Sequence, residues 1–138
     1  ADLADSINEE NLDEVVEYIK SLSEKLSSVI AVTGAIDIVS DSKKTYIIRN
    51  GHPMMGKISG TGCMLSSIIG AYCGANKDNI VDATAAAVCI IGLSGELAYE
   101  KILKNDEGTS MLRSHLIDFM SKIDDKILEE GAKFEIRQ

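Results

Sequence analysis

Gly60, Thr61, Gly62 and Cys63 stand directly before an apolar helical run, in the stretch GKISGTGCMLSS. A helix starting near Gly62 or Cys63 has unpaired N–H groups in its first turn and the positive end of its dipole. Glycines at 60 and 62 let the backbone adopt positive φ and approach a ligand closely. Together these features make an anion pocket that needs no cationic side chain. Cys63 sits where that field would lower a thiol pKa. A hydroxyl substrate beside Cys63 and a phosphate over the helix end would be a phosphoryl-transfer arrangement. Such chemistry rests on positioning and charge stabilisation, with little demand for a strong base. A Gly-x-Gly loop before a helix is also ordinary connection chemistry, and the four residues alone do not decide between the two. No Gly-Lys-Ser/Thr follows, so this is not a P-loop, and the glycine spacing does not fit a dinucleotide fingerprint.

The elements around the junction must position it. Leu12, Val15, Val16, Ile19, Leu22 and Leu26 recur at helical spacing, with Asn8 or Asn11 available as a cap. SVIAV (28–32) reads as a short strand buried on both faces, broken by Thr33 and Gly34. IDIVS (36–40) and TYIIR (45–49), joined by a DSKK turn, predict an antiparallel hairpin. NGHP (50–53) opens a loop that runs to Gly62. Met64, Leu65, Ile68, Ile69 and Tyr72 mark one face of the helix beyond it. Asp78 is placed to cap the next helix, which runs to about Leu103 and is apolar nearly all round, so it should be central. Ser110 opens a further helix through Met111, Leu112, Leu116, Phe119, Met120, Ile123 and Ile127, with Gly131 as its stop signal. KFEIR (133–137) reads as a last strand at an edge. The order is helix, three strands, three helices, strand, which implies an α/β layer structure. A sheet this narrow leaves the central helices little to pack against, so the chain is expected to be one part of a larger sheet.

The chain has 138 residues, 45% hydrophobic and 26% charged, a globular composition suited to one domain. Its net charge of −8 argues against nucleic acid or an anionic membrane as partner. Cys63, Cys73 and Cys89 form no CxxC pair, and an odd count is a poor disulfide framework, so a reducing cytoplasm is expected. No signal-peptide pattern is present, and the apolar tract at about 80–97 contains Asp82, Glu96, serine and glycines, so it reads as a buried helix and not a membrane span. The chain begins at Ala1, which is consistent with processing or with excision from something longer.

Taken with its surroundings, the junction has a family likeness. VIAVTGAIDIVSD followed by NGHPMMGKISGTGCMLSSIIGAY resembles the C-terminal half of the hydroxyethylthiazole kinases, ribokinase-like enzymes of thiamine salvage. The likeness runs from about Val29 to the C-terminus and is densest over 50–70. Most relatives with the ribokinase fold carry aspartate where Cys63 stands, whereas the thiazole kinases carry cysteine. The resemblance implies a three-layer α/β/α fold of which this chain, residues 1–138, is the C-terminal segment of a single kinase domain, a small sheet packed with helices. It implies ATP- and Mg²⁺-dependent phosphorylation of the primary hydroxyl of 4-methyl-5-(2-hydroxyethyl)thiazole by a cytoplasmic homotrimer with sites between subunits. Residue by residue, Thr33 matches a nucleotide-contacting threonine, Gly60 a glycine lining the substrate site, and residues 60–63 the anion hole around the transferred phosphoryl group. Cys63 matches the base that receives the hydroxyl proton. The family's additional N-terminal half supplies most of the thiazole pocket, an ATP-contacting arginine and acidic residues near the metal, so no metal ligand is assignable in this chain. A lone segment is therefore expected to have little activity.

Other residues have plainer readings. His52 could contact nucleotide but more simply satisfies its turn, and Lys57 could steady a phosphate but is expected to be solvated. Cys73 and Cys89 read as core, His115 as a surface or boundary residue, and Asp37 and Asp41 as solvated hairpin charges. The acidic first helix reads as a solvated face. The alternatives to thiazole phosphorylation are a kinase for another small alcohol such as hydroxymethylpyrimidine, which Cys63 disfavours, and a nucleotide-binding or assembly segment without turnover. A cysteine nucleophile paired with His52 lacks a third orienting residue.

Overall fold

Leu12, Val15, Val16 and Ile19 lie on one side of the first helix, α1 (Leu12–Leu26), and all four are buried. In the computed structural model, which describes residues 7–138, α1 is followed by strands β1 (Ile30–Val32), β2 (Asp37–Ser40) and β3 (Thr45–Ile48). A 3₁₀ turn (Pro53–Lys57) leads to α2 (Thr61–Ala75), α3 (Ile80–Asn105), α4 (Thr109–Met120), α5 (Asp125–Gly131) and β4 (Phe134–Arg137). The strands form one sheet in the order β1-β2-β3-β4, with every neighbouring pair antiparallel.

Strand alternation sorts the apolar side chains into two cores. Ile38 and Ile47 pack with the buried face of α1, while Val39 and Ile48 pack with Val81, Ala85, Val88 and Cys89 of α3. The result is helix, sheet and helix in three layers, with α2, α4 and α5 packed around α3. The β2–β3 hairpin is closed by Asp41, whose Oδ1 accepts from the amides of Lys43 and Lys44 at 2.7 Å each. Such a short side-chain-to-backbone ring is the usual reason aspartate opens a turn.

Several expectations are corrected. β1 is not buried on both faces: it is the sheet's edge strand, Ile30 and Val32 lean on the α1 core, and Ala31 is exposed on the other face. The helix expected from Ser110 to beyond Ile127 is two helices, α4 and α5. Asp124 Oδ1 accepts from the Ile127 amide at 2.9 Å, a cap that starts a new helix where the apolar spacing alone suggests continuation. Asn79, not Asp78, occupies the N-cap of α3, and Asn11 that of α1, neither through a side-chain cap bond. The central helix is as expected: α3 is long and apolar enough to pass for a membrane span, yet 72% of its most apolar window is buried inside the protein.

Candidate active site

The antiparallel register fixes which chain segments share one end of the sheet. Val32 pairs with Ile38, and Asp37 with Ile48, so the exits of β1 and β3 lie together. Thr33 follows β1 directly and is exposed there. The segment leaving β3 becomes the loop that feeds α2. Within it His52 caps the 3₁₀ turn, its Nδ1 accepting from the Met54 amide at 3.2 Å, and Pro53 stands at the turn's start, where its missing N–H costs nothing. Ile58, 8% exposed, then ties the loop into a core with Ile91, Ala98 and Ile102.

Gly60 is the N-cap of α2, at φ 94° and ψ 3°. That left-handed conformation is comfortable only for glycine. The helix therefore starts at Thr61, slightly earlier than the spacing suggests. Gly62 sits in the helix without positive φ, so only one of the two glycines is needed for backbone shape. The first intrahelical bond runs from the Met64 amide to the Gly60 carbonyl at 3.0 Å. The amides of Thr61, Gly62 and Cys63 precede it and have no helical acceptor. Gly62 and Cys63 are exposed, and a Cβ placed on Gly60 or Gly62 would meet no atom within 4 Å. Three donors and a dipole end thus face open space beside a free thiol. This arrangement fits an anionic phosphoryl group. Among the described residues no group of three or more His, Cys, Asp or Glu could hold a metal ion.

Asp37 departs from the solvated role expected of it. Its Oδ1 accepts from the Gly34 amide at 2.8 Å, closing the bend that carries Thr33. Burial raises its carboxyl from the ordinary 3.8 to about 6, against the opposing pull of the Gly34 N–H. The folded state thus holds this proton more tightly than the unfolded chain does. Asp37's contribution to stability is therefore greatest at low pH and is lost as pH rises through about 6. The penalty above that is at most about 3 kcal/mol. Asp37→Asn, which keeps an oxygen for Gly34, is expected to raise stability at pH 7.5 by about 1–2 kcal/mol and to leave it nearly unchanged at pH 4. Urea denaturation of both proteins at the two pH values measures this, and an Asn variant destabilised at pH 7.5 contradicts it.

The remaining candidates are dispersed. His52 stacks on Tyr99 with ring centroids 3.7 Å apart, and Lys57 is exposed at the end of the 3₁₀ turn. Cys73 lies in the α2–α3 contact, its Sγ 3.4 Å from Thr84 Oγ1. Cys89 is buried, and burial together with the Asp37 charge pushes its thiol up to about 11. His115 Nε2 lies 2.7 Å from Glu107 Oε2, a boundary pair beside the α3–α4 turn. Asp41 serves the hairpin turn. Residues 60–63 are therefore contiguous at one helix mouth, with Thr33 at the sheet end from which their loop departs.

Comparison with known proteins gives this geometry a context. The family description "Hydroxyethylthiazole kinase family" matches residues 4–126. The chain belongs to the hydroxyethylthiazole kinase family. It is 45% identical over 135 residues to a hydroxyethylthiazole kinase of Clostridium acetobutylicum, covering 98% of this chain and 49% of that protein. It is likewise 45% identical over 124 residues to hydroxyethylthiazole kinase 1 of Clostridium botulinum, covering 90% and 44%. A solved hydroxyethylthiazole kinase protein from Pyrococcus horikoshii superposes with a TM-score of 0.81 at 28% identity, over 91% of this chain and 47% of that one. The α/β fold is thus that of a hydroxyethylthiazole kinase, and the chain spans about half the length of the curated relatives it matches.

Sequence reasoning missed the residues that hold the loop of this family member. Asn50 is 6% exposed, and Glu96 accepts from both its side chain and the Gly51 amide. The available signal was Gly92, Gly95, Glu96 and Tyr99, which fall on one face of an otherwise apolar helix. A carboxylate in such a setting needs hydrogen-bonding partners.

Proposed function

We propose that this chain is the C-terminal segment, carrying the phosphoryl-transfer centre, of a cytoplasmic enzyme that phosphorylates the hydroxyl of 4-methyl-5-(2-hydroxyethyl)thiazole at the expense of ATP. The observation that carries this reading is the open mouth of α2: Gly60 at φ 94°, three amides without helical acceptors, and exposed Cys63 beside them. When bound, ATP supplies the phosphoryl group. The amides of Thr61, Gly62 and Cys63 hold the anionic oxygens of that group, where fixed dipoles need no reorganisation as charge moves. Cys63 Sγ takes the proton that the alcohol loses as its oxygen bonds to the γ-phosphorus, while the bond from that phosphorus to the β,γ-bridging oxygen breaks and ADP leaves. Gly60 keeps its own backbone clear of the substrate, and Thr33 contacts the nucleotide from the neighbouring sheet end.

Acidic residues of the enzyme's N-terminal half hold Mg²⁺. The rest of the thiazole pocket and the neighbouring subunit of a homotrimer complete the site. The outer edge of β1, which no strand pairs among the described residues, and the incompletely buried apolar face of α2 are consistent with a larger sheet and further helices around this segment.

A coupled ADP-release assay tests the reading. The full-length enzyme containing this sequence is expected to turn over the thiazole alcohol with ATP, and a purified 138-residue species of verified mass is not. ADP release with hydroxymethylpyrimidine and none with the thiazole would move the assignment to the other alcohol. Robust thiazole turnover by the short species would contradict the claim that the site is shared with other parts.

A further inference from the structure

The loop that ends in the anion hole begins on a prepared surface of α3. Gly92, Gly95, Glu96 and Tyr99 lie along one helix face. At Gly92 a Cβ would come within 2.7 Å of Asn50 Cβ, and at Gly95 within 2.2 Å of Met55 Sδ. The loop therefore lies directly against the helix at both places. Next to Gly95, Glu96 reaches out: its Oε1 accepts from the Asn50 amide group at 3.1 Å and from the Gly51 N–H at 2.9 Å. Its Oε2 accepts from Lys133 Nζ at 2.6 Å. Asn50 spends its remaining capacity on the α5–β4 junction, donating to the Gly131 carbonyl at 2.9 Å and accepting from the Lys133 amide at 2.7 Å. One residue further, His52 stacks on Tyr99. Gly51 itself is at φ 127°, a shape only glycine holds easily.

We propose that Glu96 is a positioning residue for phosphoryl transfer, gripping Asn50 and Gly51 so that the loop delivers residues 60–63 to the phosphate. The inference rests on the functional reading above. Glu96 is remote in sequence from Cys63 and acts through the loop. Downstream of the grip, Met54, Met55 and Ile58 pack on the same helical core, so the loop behaves as one body between Asn50 and Gly60. Releasing its first residues lets that body tilt, and a shift of about 1 Å at a reacting group lowers turnover by up to about 100-fold. A residue that only stabilised the fold would lower the amount of folded enzyme without changing the turnover of what remains folded.

The test uses the full-length enzyme and its Glu96→Ala, Glu96→Gln and Lys133→Met variants. Glu96→Ala is expected to lower kcat about 30-fold, with KM for ATP changed less than about threefold. Glu96→Gln, which keeps an oxygen for the Gly51 amide, is expected to recover kcat to within about threefold of wild type. Lys133→Met removes only the exposed ion pair and is expected to stay within about twofold. Hydrogen exchange at the amides of 51–59 is expected to quicken at least about tenfold in the Ala variant and not in the Gln variant. Wild-type kcat in folded Glu96→Ala overturns the inference, as does a Gln variant as slow as the Ala variant. A wild-type enzyme that transfers no phosphoryl group sinks the parent reading instead, and the exchange rates then report on the loop grip alone.

Discussion

Cys63→Ala in the full-length enzyme is expected to lower kcat by about 10²–10⁴-fold, the range for loss of a positioned proton acceptor. The side chain is exposed and fills no core, so the thermal midpoint should stay within about 2 °C of wild type. Alanine is also the better helix former at this first-turn position. KM for ATP should change little, because the amides of 61–63 belong to the backbone and survive the substitution. Cys63→Asp places a carboxylate where the thiol stood and is expected to retain measurable turnover, since a carboxylate can take the same proton. Steady-state kinetics beside a melting curve separates these outcomes. Wild-type kcat in a folded Ala variant would mean that the proton goes elsewhere, and complete loss in a folded Asp variant would count against proton transfer at this position.

The second large effect concerns the two glycines, which the structure separates by role. Gly60 holds φ 94°, so Gly60→Ala is expected to cost about 1–2 kcal/mol of stability. Relief of that strain turns the first peptide of α2 and re-aims its free amides. With hydrogen-bond donors to the phosphoryl group misdirected, kcat/KM is expected to fall about 10²–10³-fold. Gly62 is helical and meets nothing within 4 Å, so Gly62→Ala is expected to stabilise the helix by up to about 1 kcal/mol. Its methyl group nevertheless projects from the first turn, beside the space the phosphate needs, and turnover is expected to drop about tenfold or more. Opposite signs for stability and activity at Gly62 would distinguish a ligand site from a simple connection. A Gly62→Ala protein that is both more stable and fully active would favour the connection.

The helix mouth was legible because glycine and a following apolar run are local signals. The left-handed N-cap and free amides follow from Gly60 and the start of α2 with no help from distant residues. The hairpin was equally local, with Asp41 and two β-rich runs in sequence. What escaped depended on partners far along the chain. Asp37 looked like a solvated hairpin charge, but the register places it opposite Ile48, on the face that α3 covers. SVIAV carried the composition of a fully buried strand, yet in this chain β1 is an edge. The larger sheet proposed for the whole enzyme would continue from that edge. The split between α4 and α5 hinged on one carboxylate, Asp124, competing with an uninterrupted apolar period. Glu96 was hidden inside the most apolar helix, and only the loop packed across it explains why a carboxylate stands there.

The mouth of α2 carries the whole functional account, and one structure tests it most directly. The full-length enzyme is to be crystallised with Mg²⁺, the thiazole alcohol and a nonhydrolysable ATP analogue. The account predicts a terminal phosphate oxygen about 3 Å from the amides of Gly62 and Cys63, and the alcohol hydroxyl within hydrogen-bonding reach of Cys63 Sγ. A terminal phosphate bound more than a side chain's length from residues 60–63, with the mouth of α2 filled only by solvent, would contradict it.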